Sequence, residues 1–339
     1  MTILGLESSC DETSVSIIRD GEILSNLISS QHFHLKYGGV VPELSSRAHL
    51  QMISPLFKKA LEEANIEKEE IDLVSATAGP GLIGALLVGL NFGKALSYSL
   101  NKPFIAVNHI EGHIFSCFLM EEKPEYPILS LVVSGGHTLL LLVKDDLNIV
   151  KLGSTIDDAA GEAFDKVAKM IGLGYPGGPK VQEYSEKGNP KAIKFPVANL
   201  KGEYDFSFSG LKTSVLRYIQ KEYPILEKIT EDEKSNIAAS FQDAVVKALS
   251  NNVKKAILNY EIKTLSVVGG VAANKAIRNK LIQLAKKFNK KIVIPDIEFC
   301  GDNAAMIAYR AGKLFENNII SDLNAVAFPA LPKNAFIAN

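Results

Sequence analysis

Ile3-Leu4-Gly5-Leu6-Glu7-Ser8-Ser9-Cys10-Asp11-Glu12-Thr13-Ser14-Val15-Ser16-Ile17-Ile18-Arg19-Asp20-Gly21 sets two β-rich runs on either side of a Ser/Cys/Asp-rich turn and ends on an Asp-Gly pair. Asp-Gly between apolar runs signals a hairpin, because both residues tolerate the positive φ of a tight primed turn. The stretch therefore reads strand, polar turn, strand, tight turn, strand, the last over residues 22–28. The same programme restarts further on: residues 128–133 are apolar, Ser134-Gly135-Gly136-His137-Thr138 is a polar turn, and residues 139–144 are again strand-like. Each copy is followed later by strand, glycine turn and helix. In the first these are residues 72–76, Gly79-Pro80-Gly81 and a helix to about Leu100; in the second, residues 264–268, Gly269-Gly270-Val271-Ala272-Ala273-Asn274 and another helix. One programme used twice predicts a duplicated α/β architecture.

Composition agrees with a folded chain of that size. A length of 339 residues exceeds one ordinary core and predicts about two domains. With 47% hydrophobic and 22% charged residues, a disordered chain or a disulfide scaffold is excluded. Lysine and arginine number 37 against 38 acidic residues, a net charge of −1, so no global field draws a polyanion. RNA binding would need a local basic face or a basic partner. The pairs Lys58-Lys59, Lys254-Lys255, Lys286-Lys287 and Lys290-Lys291 are candidates, although such runs are usually solvated helix faces. Cys10, Cys117 and Cys300 are odd in number and form no C-x-x-C pair, which argues against disulfides and a thiolate zinc site and predicts a cytoplasmic protein. Glu7 and Asp11 leave no basic or long apolar leader at the start. Residues 82–100 are apolar but broken by Gly84, Gly89, Asn91, Gly93 and Lys94, predicting a buried helix and no membrane span.

Apolar spacing predicts further helices over residues 42–65, 156–171 and 209–222, and one or two over 231–260, with a strand at 104–108. Gly174-Tyr175-Pro176-Gly177-Gly178-Pro179 is so densely punctuated that it predicts an irregular loop.

The sharpest chemical feature is His109-Ile110-Glu111-Gly112-His113, just past the strand ending at Asn108. At about 100° per residue, helical positions four apart lie nearly over one another, so two imidazoles reach one metal ion. In the zinc-protease pattern H-E-x-x-H the glutamate directly follows the first histidine. Here Glu111 lies two residues on and points away, so a peptidase lacks its base. Two histidines need an oxygen ligand, and Asp302 in Cys300-Gly301-Asp302-Asn303 is the best candidate; zinc or iron suits that set. The competing reading makes Asp302 a helix cap. Gly79-Pro80-Gly81-Leu82-Ile83-Gly84 matches a dinucleotide fingerprint, but no acidic residue follows before Glu111, so close strand–helix packing is the better reading. The turns at Ser134-Gly135-Gly136 and Gly269-Gly270 offer backbone amides suited to phosphate. Asp11-Glu12 is an acidic pair in the first turn; acidic turns are usually solvated, and its place between the first two strands, mirroring Ser134 to His137, is what suggests a catalytic or cation-related role.

These residues together resemble a known family. The segments Gly5 to Ser14, Lys94 to Ile114, Val133 to Thr138, Gly161-Glu162-Ala163-Phe164-Asp165-Lys166, Tyr175 to Pro179, Gly269 to Asn274 and Cys300 to Asn303 are similar to the universal tRNA threonylcarbamoyl transferases, once labelled glycoproteases, in their bacterial TsaD branch. The resemblance implies an ASKHA (actin/hexokinase/Hsp70-like) α/β fold with two lobes around a nucleotide cleft: residues 1–127, then 128–302, with the helix after about 303 returning to the first. It implies transfer of threonylcarbamoyl from L-threonylcarbamoyladenylate to the exocyclic amine of the adenosine 3′ of the anticodon in tRNAs reading ANN codons. It implies His109, His113 and Asp302 as ligands of one zinc or iron ion, and Val132, Val133, Ser134, Gly135, Gly136, Asp165, Gly178 and Asn274 as donor-binding positions. Asp11 and Glu12 are the candidates for assisting attack, since the aromatic amine must lose a proton as it acylates. The implied partners are tRNA, a paralogous TsaB-like ASKHA protein and a TsaE-like P-loop ATPase, with no membrane. A metalloendopeptidase and a non-catalytic ASKHA ATPase or scaffold are the alternatives.

Overall fold

A computed structural model describes residues 1–223, 229–332 and 335–336. The chain divides into two compact units, one of Met1–Lys123 with Pro295–Ala335, the other of Pro124–Ile294 with the chain end from Phe336.

In the first unit β1 (Thr2–Glu7), β2 (Glu12–Arg19), β3 (Glu22–Ser30), β4 (Leu73–Gly79) and β5 (Phe104–Asn108) form one sheet in the order β3-β2-β1-β4-β5. The first three strands pair antiparallel, as the hairpin signal requires, while β1, β4 and β5 run parallel. Every residue of β1 is buried because both sheet faces are covered. Leu4 and Leu6 pack among Leu56, Phe57 and Ala60 of α1 (Pro42–Ala64) and Leu90 of α2 (Ile83–Leu100). Ile3, one pleat out of phase, packs with Met306, Ile307 and Ala308 of a helix from the far end of the chain, Ala304–Glu316.

Helix Ile83–Leu100 is long and apolar enough to cross a membrane, yet Ala85, Leu86, Gly89, Leu90, Gly93 and Ser97 along it are buried. The glycine at 89 is a packing device: a Cβ there would lie 2.4 Å from Ser8 Oγ.

The second unit repeats the scheme. Strands β6 (Ile128–Val133), β7 (Thr138–Val143), β8 (Ile149–Ser154), β9 (Thr264–Val268) and β10 (Lys291–Val293) are ordered β10-β9-β6-β7-β8, again with an antiparallel β6-β7-β8 part and a parallel β6-β9-β10 part. Matched strand for strand, the two sheets have one topology, as the restart in the sequence predicts. In both, the parallel strands end on the same edge, where open α/β sheets bind ligands.

Two expectations change in detail, and one open choice is narrowed. The helix expected over 156–171 begins only at Ala160, as α4 (Ala160–Met170), and a strand that the pattern does not predict, Ile149–Ser154, precedes it. The region 231–260 is one helix, α7 (Glu231–Asn259), opened by a Thr230/Glu233 capping box. Residues 174–179 are not all loop, because Gly177-Gly178-Pro179 form the first turn of α5 (Gly177–Ser185). Proline is tolerated in a helix's first turn, where its missing N–H has no intrahelical partner to lose. The remaining helices of this unit are α6 (Ser209–Glu222) and α8 (Lys275–Lys287).

Candidate functional site

Strand β5 stops at Asn108, whose side chain accepts from the N–H groups of Ile110 (2.9 Å) and Glu111 (3.4 Å) and so starts a helix at the next residue. That helix, α3 (His109–Ser116), puts His109 in its first turn and His113 one turn later, both buried at the carboxyl edge of the sheet. After the short α9 (Ile297–Cys300), residues 301–303 lead into α10 (Ala304–Glu316). The cap of α10 is Asn303, which accepts from Met306 N–H, so Asp302 is not the capping residue.

Asp302 instead faces both imidazoles. Its Oδ1 lies 3.1 Å from His113 Nε2 and 3.5 Å from His109 Nε2, and the three donor atoms all fall within 4.8 Å of one another. A tetrahedral ion with bonds of about 2.0–2.1 Å has ligand–ligand edges of about 3.3–3.4 Å, so two nitrogens and one carboxylate oxygen at these spacings fit a single metal ion. Three protein ligands also leave a coordination position for a substrate atom.

Behind His109 stands a residue the sequence reading passed over. Glu7, fully buried at the end of β1, takes the His109 Nδ1 proton at 3.1 Å, the Thr77 hydroxyl at 2.5 Å and the Ser9 N–H at 2.5 Å. A carboxylate on Nδ1 fixes the tautomer that leaves Nε2 to a metal. Burial opposes the charge on Glu7, but His109 beside it holds its carboxyl below the usual range. Burial likewise opposes the charge on Asp302, and His109 and His113 hold it well below the ordinary value. For His109 burial disfavours the imidazolium, yet Asp302 and Glu7 on its two sides raise its pKa to about 9. A ring set between the buried Glu7 and the half-buried Asp302 carboxylates calls for positive charge, and a cation at Nε2 supplies it as well as a proton does. His113 Nδ1 is buried without a hydrogen-bond partner among the described residues.

Asp11 lies in the turn between β1 and β2 and Glu12 is the first residue of β2, both half-buried. His49 of α1 holds this turn from below, donating Nε2–H to the Cys10 carbonyl (3.0 Å) and accepting from Thr13 Oγ1 at Nδ1 (2.7 Å). The Ser45 hydroxyl donates to the same carbonyl. Burial raises the Glu12 pKa to about 9, reinforced by the negative Asp302 and by Asp11. Burial also pushes the Cys10 thiol well up.

The positions expected to hold the donor lie in the second unit. Val132 and Val133 end β6, and Ser134 to Gly136 make the turn that follows, with Gly135 and Gly136 exposed. The turn is closed by Ser134 N–H on the His137 carbonyl (2.8 Å) and tied to α4 by Gly161 N–H on the Ser134 carbonyl (3.2 Å). Gly269, at φ +92°, lies so close to β6 that a Cβ would sit 2.5 Å from the Val133 carbonyl oxygen. Asp165 accepts from Gly177 N–H at 2.7 Å, joining α4 to the start of α5, where Gly178 has open space beside it. Asn274 caps α8 with its oxygen on Ala276 and Ile277 N–H and donates to Gln242 Oε1 at 2.7 Å. That leaves the side chain one N–H for any further partner. Gln182 Oε1, accepting from Lys275 N–H at 2.8 Å, ties α5 to α8 and was not singled out from sequence.

The duplicated sheets, each with its glycine turn at the carboxyl edge, define an ASKHA-fold protein, and its two-histidine, one-carboxylate cluster is compatible with a single metal ion. The known proteins it resembles agree. In the solved structures, HypF of T. kodakarensis superposes with a TM-score of 0.65 at 15% identity, over 94% of this chain and 48% of that one. Component A of the Acidaminococcus fermentans (R)-2-hydroxyglutaryl-CoA dehydratase superposes at 0.53, also at 15% identity, over 92% and 99%. The chain thus spans about half the length of the HypF protein, and at such identities the likeness is one of fold. A family model described as "TsaD: tRNA N6-adenosine threonylcarbamoyltransferase" matches residues 22–309. Proteins of that name from Thermosipho africanus and Kosmotoga olearia are 51% and 50% identical, each over 98% of this chain and over 99% and 98% of their own lengths. The chain belongs to the TsaD family of tRNA N6-adenosine threonylcarbamoyltransferases.

Proposed function

We infer that this chain is a tRNA threonylcarbamoyltransferase. The exocyclic amine of the adenosine 3′ of the anticodon, in tRNAs reading ANN codons, attacks the carbamoyl carbon of L-threonylcarbamoyladenylate. The bond from that carbon to the phosphate oxygen breaks, AMP leaves, and the amine gives up a proton. The observation that carries the reading is the convergence of His109, His113 and Asp302 at the sheet edge in a chain half identical, end to end, to relatives of that name.

His109 Nε2, His113 Nε2 and Asp302 Oδ1 would hold one zinc or iron ion, with Glu7 orienting His109. When bound, the ion supplies Lewis-acid polarisation of the carbamoyl oxygen and an anchor for the threonyl end of the donor. The Val132 to Gly136 turn, Asp165, Gly178 and Asn274 would bind the adenylate end. The acidic pair Asp11 and Glu12, linked by a hydrogen bond, would assist attack by taking up the amine proton. Exposed Leu50 and Met52 on α1, and Ile83, Leu87 and Tyr98 on α2, are apolar surface for a TsaB-like partner; a TsaE-like ATPase completes the set. Free cysteines and a tRNA substrate fit a cytoplasmic setting.

The peptidase alternative requires a base beside the metal, and Glu111, the only carboxylate between the histidines, is paired with Arg310 instead. The test is mass spectrometry of nucleosides from tRNA treated with the chain, its partners, the adenylate-forming enzyme, threonine, bicarbonate and ATP. Threonylcarbamoyladenosine is expected; its absence refutes the reading.

A further inference from the structure

The residue that a peptidase would have used is engaged elsewhere. Glu111 projects from the side of α3 away from its two histidines, and its Oε2 accepts from both Nε (2.7 Å) and Nη2 (2.6 Å) of Arg310, two turns along α10. Arg310 is buried, with 3% of its side chain exposed, and its guanidinium carbon stands 4.2 Å from the ring centroid of Phe115, one turn beyond Glu111 on α3. One guanidinium therefore grips α3 at two successive turns, through a charge-assisted fork and a ring face. Between those turns Gly112 lets α10 close in: a Cβ there would lie 2.8 Å from Ile307 Cδ1 and 3.3 Å from Met306 Cγ.

The consequence lies in what the two helices carry. The imidazoles ride on α3, whereas Asp302 sits just ahead of α10. A slip of α10 along α3 changes the 3.1 Å and 3.5 Å separations between the Asp302 oxygen and the histidine nitrogens. We propose that the Glu111–Arg310 pair is a positioning device that sets the register of α10 on α3 and so the geometry of the metal pocket. Interdigitated packing at Gly112 sets the approach of the two helices, and the fork adds a directional restraint along them. A buried pair that often adds little net stability is retained where it specifies one arrangement.

The proposal rests on the reading that His109, His113 and Asp302 bind a metal, and its test separates the two. Zinc is titrated into the metal-free full chain against a competing chelator, with thermal melting of the metal-free form measured alongside. Removing both charges in E111Q/R310M avoids stranding a buried ion, so the variant is expected to fold and to bind zinc about 10–100-fold more weakly, the loss typical when groups that orient metal ligands are removed. Arg310→Lys keeps the charge but not the planar fork, and its zinc affinity is expected to fall between those of the wild type and the double variant. A folded double variant, or Arg310→Lys, with wild-type zinc affinity overturns the proposal, because a purely structural pair would shift melting and leave affinity alone. A wild-type chain that binds neither zinc nor iron refutes the metal reading itself.

Discussion

Replacing Glu7 by Gln tests how the pocket is built, because the change keeps the shape of the side chain and removes one acceptor. The carboxylate has no exposed surface and three donors directed at it: Ser9 N–H on Oε1, and the Thr77 hydroxyl and His109 Nδ1–H on Oε2. An amide has one oxygen. With that oxygen turned to Ser9, its NH₂ faces His109 Nδ1, which must then accept, and the ring proton moves to Nε2, the nitrogen that faces Asp302. In the opposite orientation the NH₂ meets the Ser9 N–H, donor against donor at a fully buried position, a penalty of about 1–3 kcal/mol. The first orientation blocks the metal-facing lone pair and the second strains the fold. The expected result is zinc affinity weakened about 10–100-fold, equivalent to about 1.4–2.7 kcal/mol. Chelator competition reads the affinity and thermal melting reads the fold. A Glu7→Gln protein unchanged in both refutes the reasoning, since it would mean that the buried acid orients nothing.

Other perturbations separate the two units. His109→Ala is expected to lose the bound metal and transfer activity together, by metal analysis and nucleoside mass spectrometry; retained stoichiometric metal contradicts the ligand assignment. Gly161→Ala would place a methyl 2.6 Å from the Ser134 carbonyl and 2.8 Å from Gly135 Cα, so the turn must move; calorimetric binding of AMP should weaken while zinc affinity is unchanged. Asp158, only 13% exposed, takes Lys166 (2.8 Å) and Lys212 (2.7 Å) on its two oxygens. Asp158→Asn should lower stability by about 1–3 kcal/mol in denaturant melts. Burial of His49 lowers its pKa, although its hydrogen bond to the Cys10 carbonyl opposes the shift. A depressed folded pKa gives stability that is present above the ordinary histidine range, about 6.5, and is lost as pH falls through the lower folded value. His49→Gln should therefore flatten the acid side of the melting-temperature profile; an unchanged slope contradicts this.

The duplication was legible because the signals that encode it are local: an Asp-Gly turn, glycine turns after apolar strands, and their return in the same order. Strands Ile149–Ser154 and Lys291–Val293 were not, since Lys151 interrupts one and the other is three residues long beside a lysine pair; each is a strand because a neighbour offers it an edge. The histidine pair could be read from i, i+4 spacing and Asp302 from the resemblance and the missing oxygen ligand. Glu7 was hidden among apolar residues, and its partners Thr77 and His109 are 70 and 102 positions away. An acidic residue closing a fully apolar strand is the signal that would have found it. The role of Gly177 to Pro179 in opening a helix was masked by the density of turn-forming residues; the tie from Asp165 to Gly177 N–H and the packing of α5 on α4 and α7 are tertiary contacts that no local pattern encodes.

The most direct measurement is single-turnover transfer of radiolabelled threonine from preformed L-threonylcarbamoyladenylate to an ANN-decoding tRNA, by the chain with its two partners, before and after metal removal and add-back. The account predicts label in the tRNA, its loss on chelation, its return with zinc or iron, and none at any stage with His109→Ala. Transfer indifferent to the metal or undiminished in His109→Ala, or no label in the tRNA with the complete set, would contradict it.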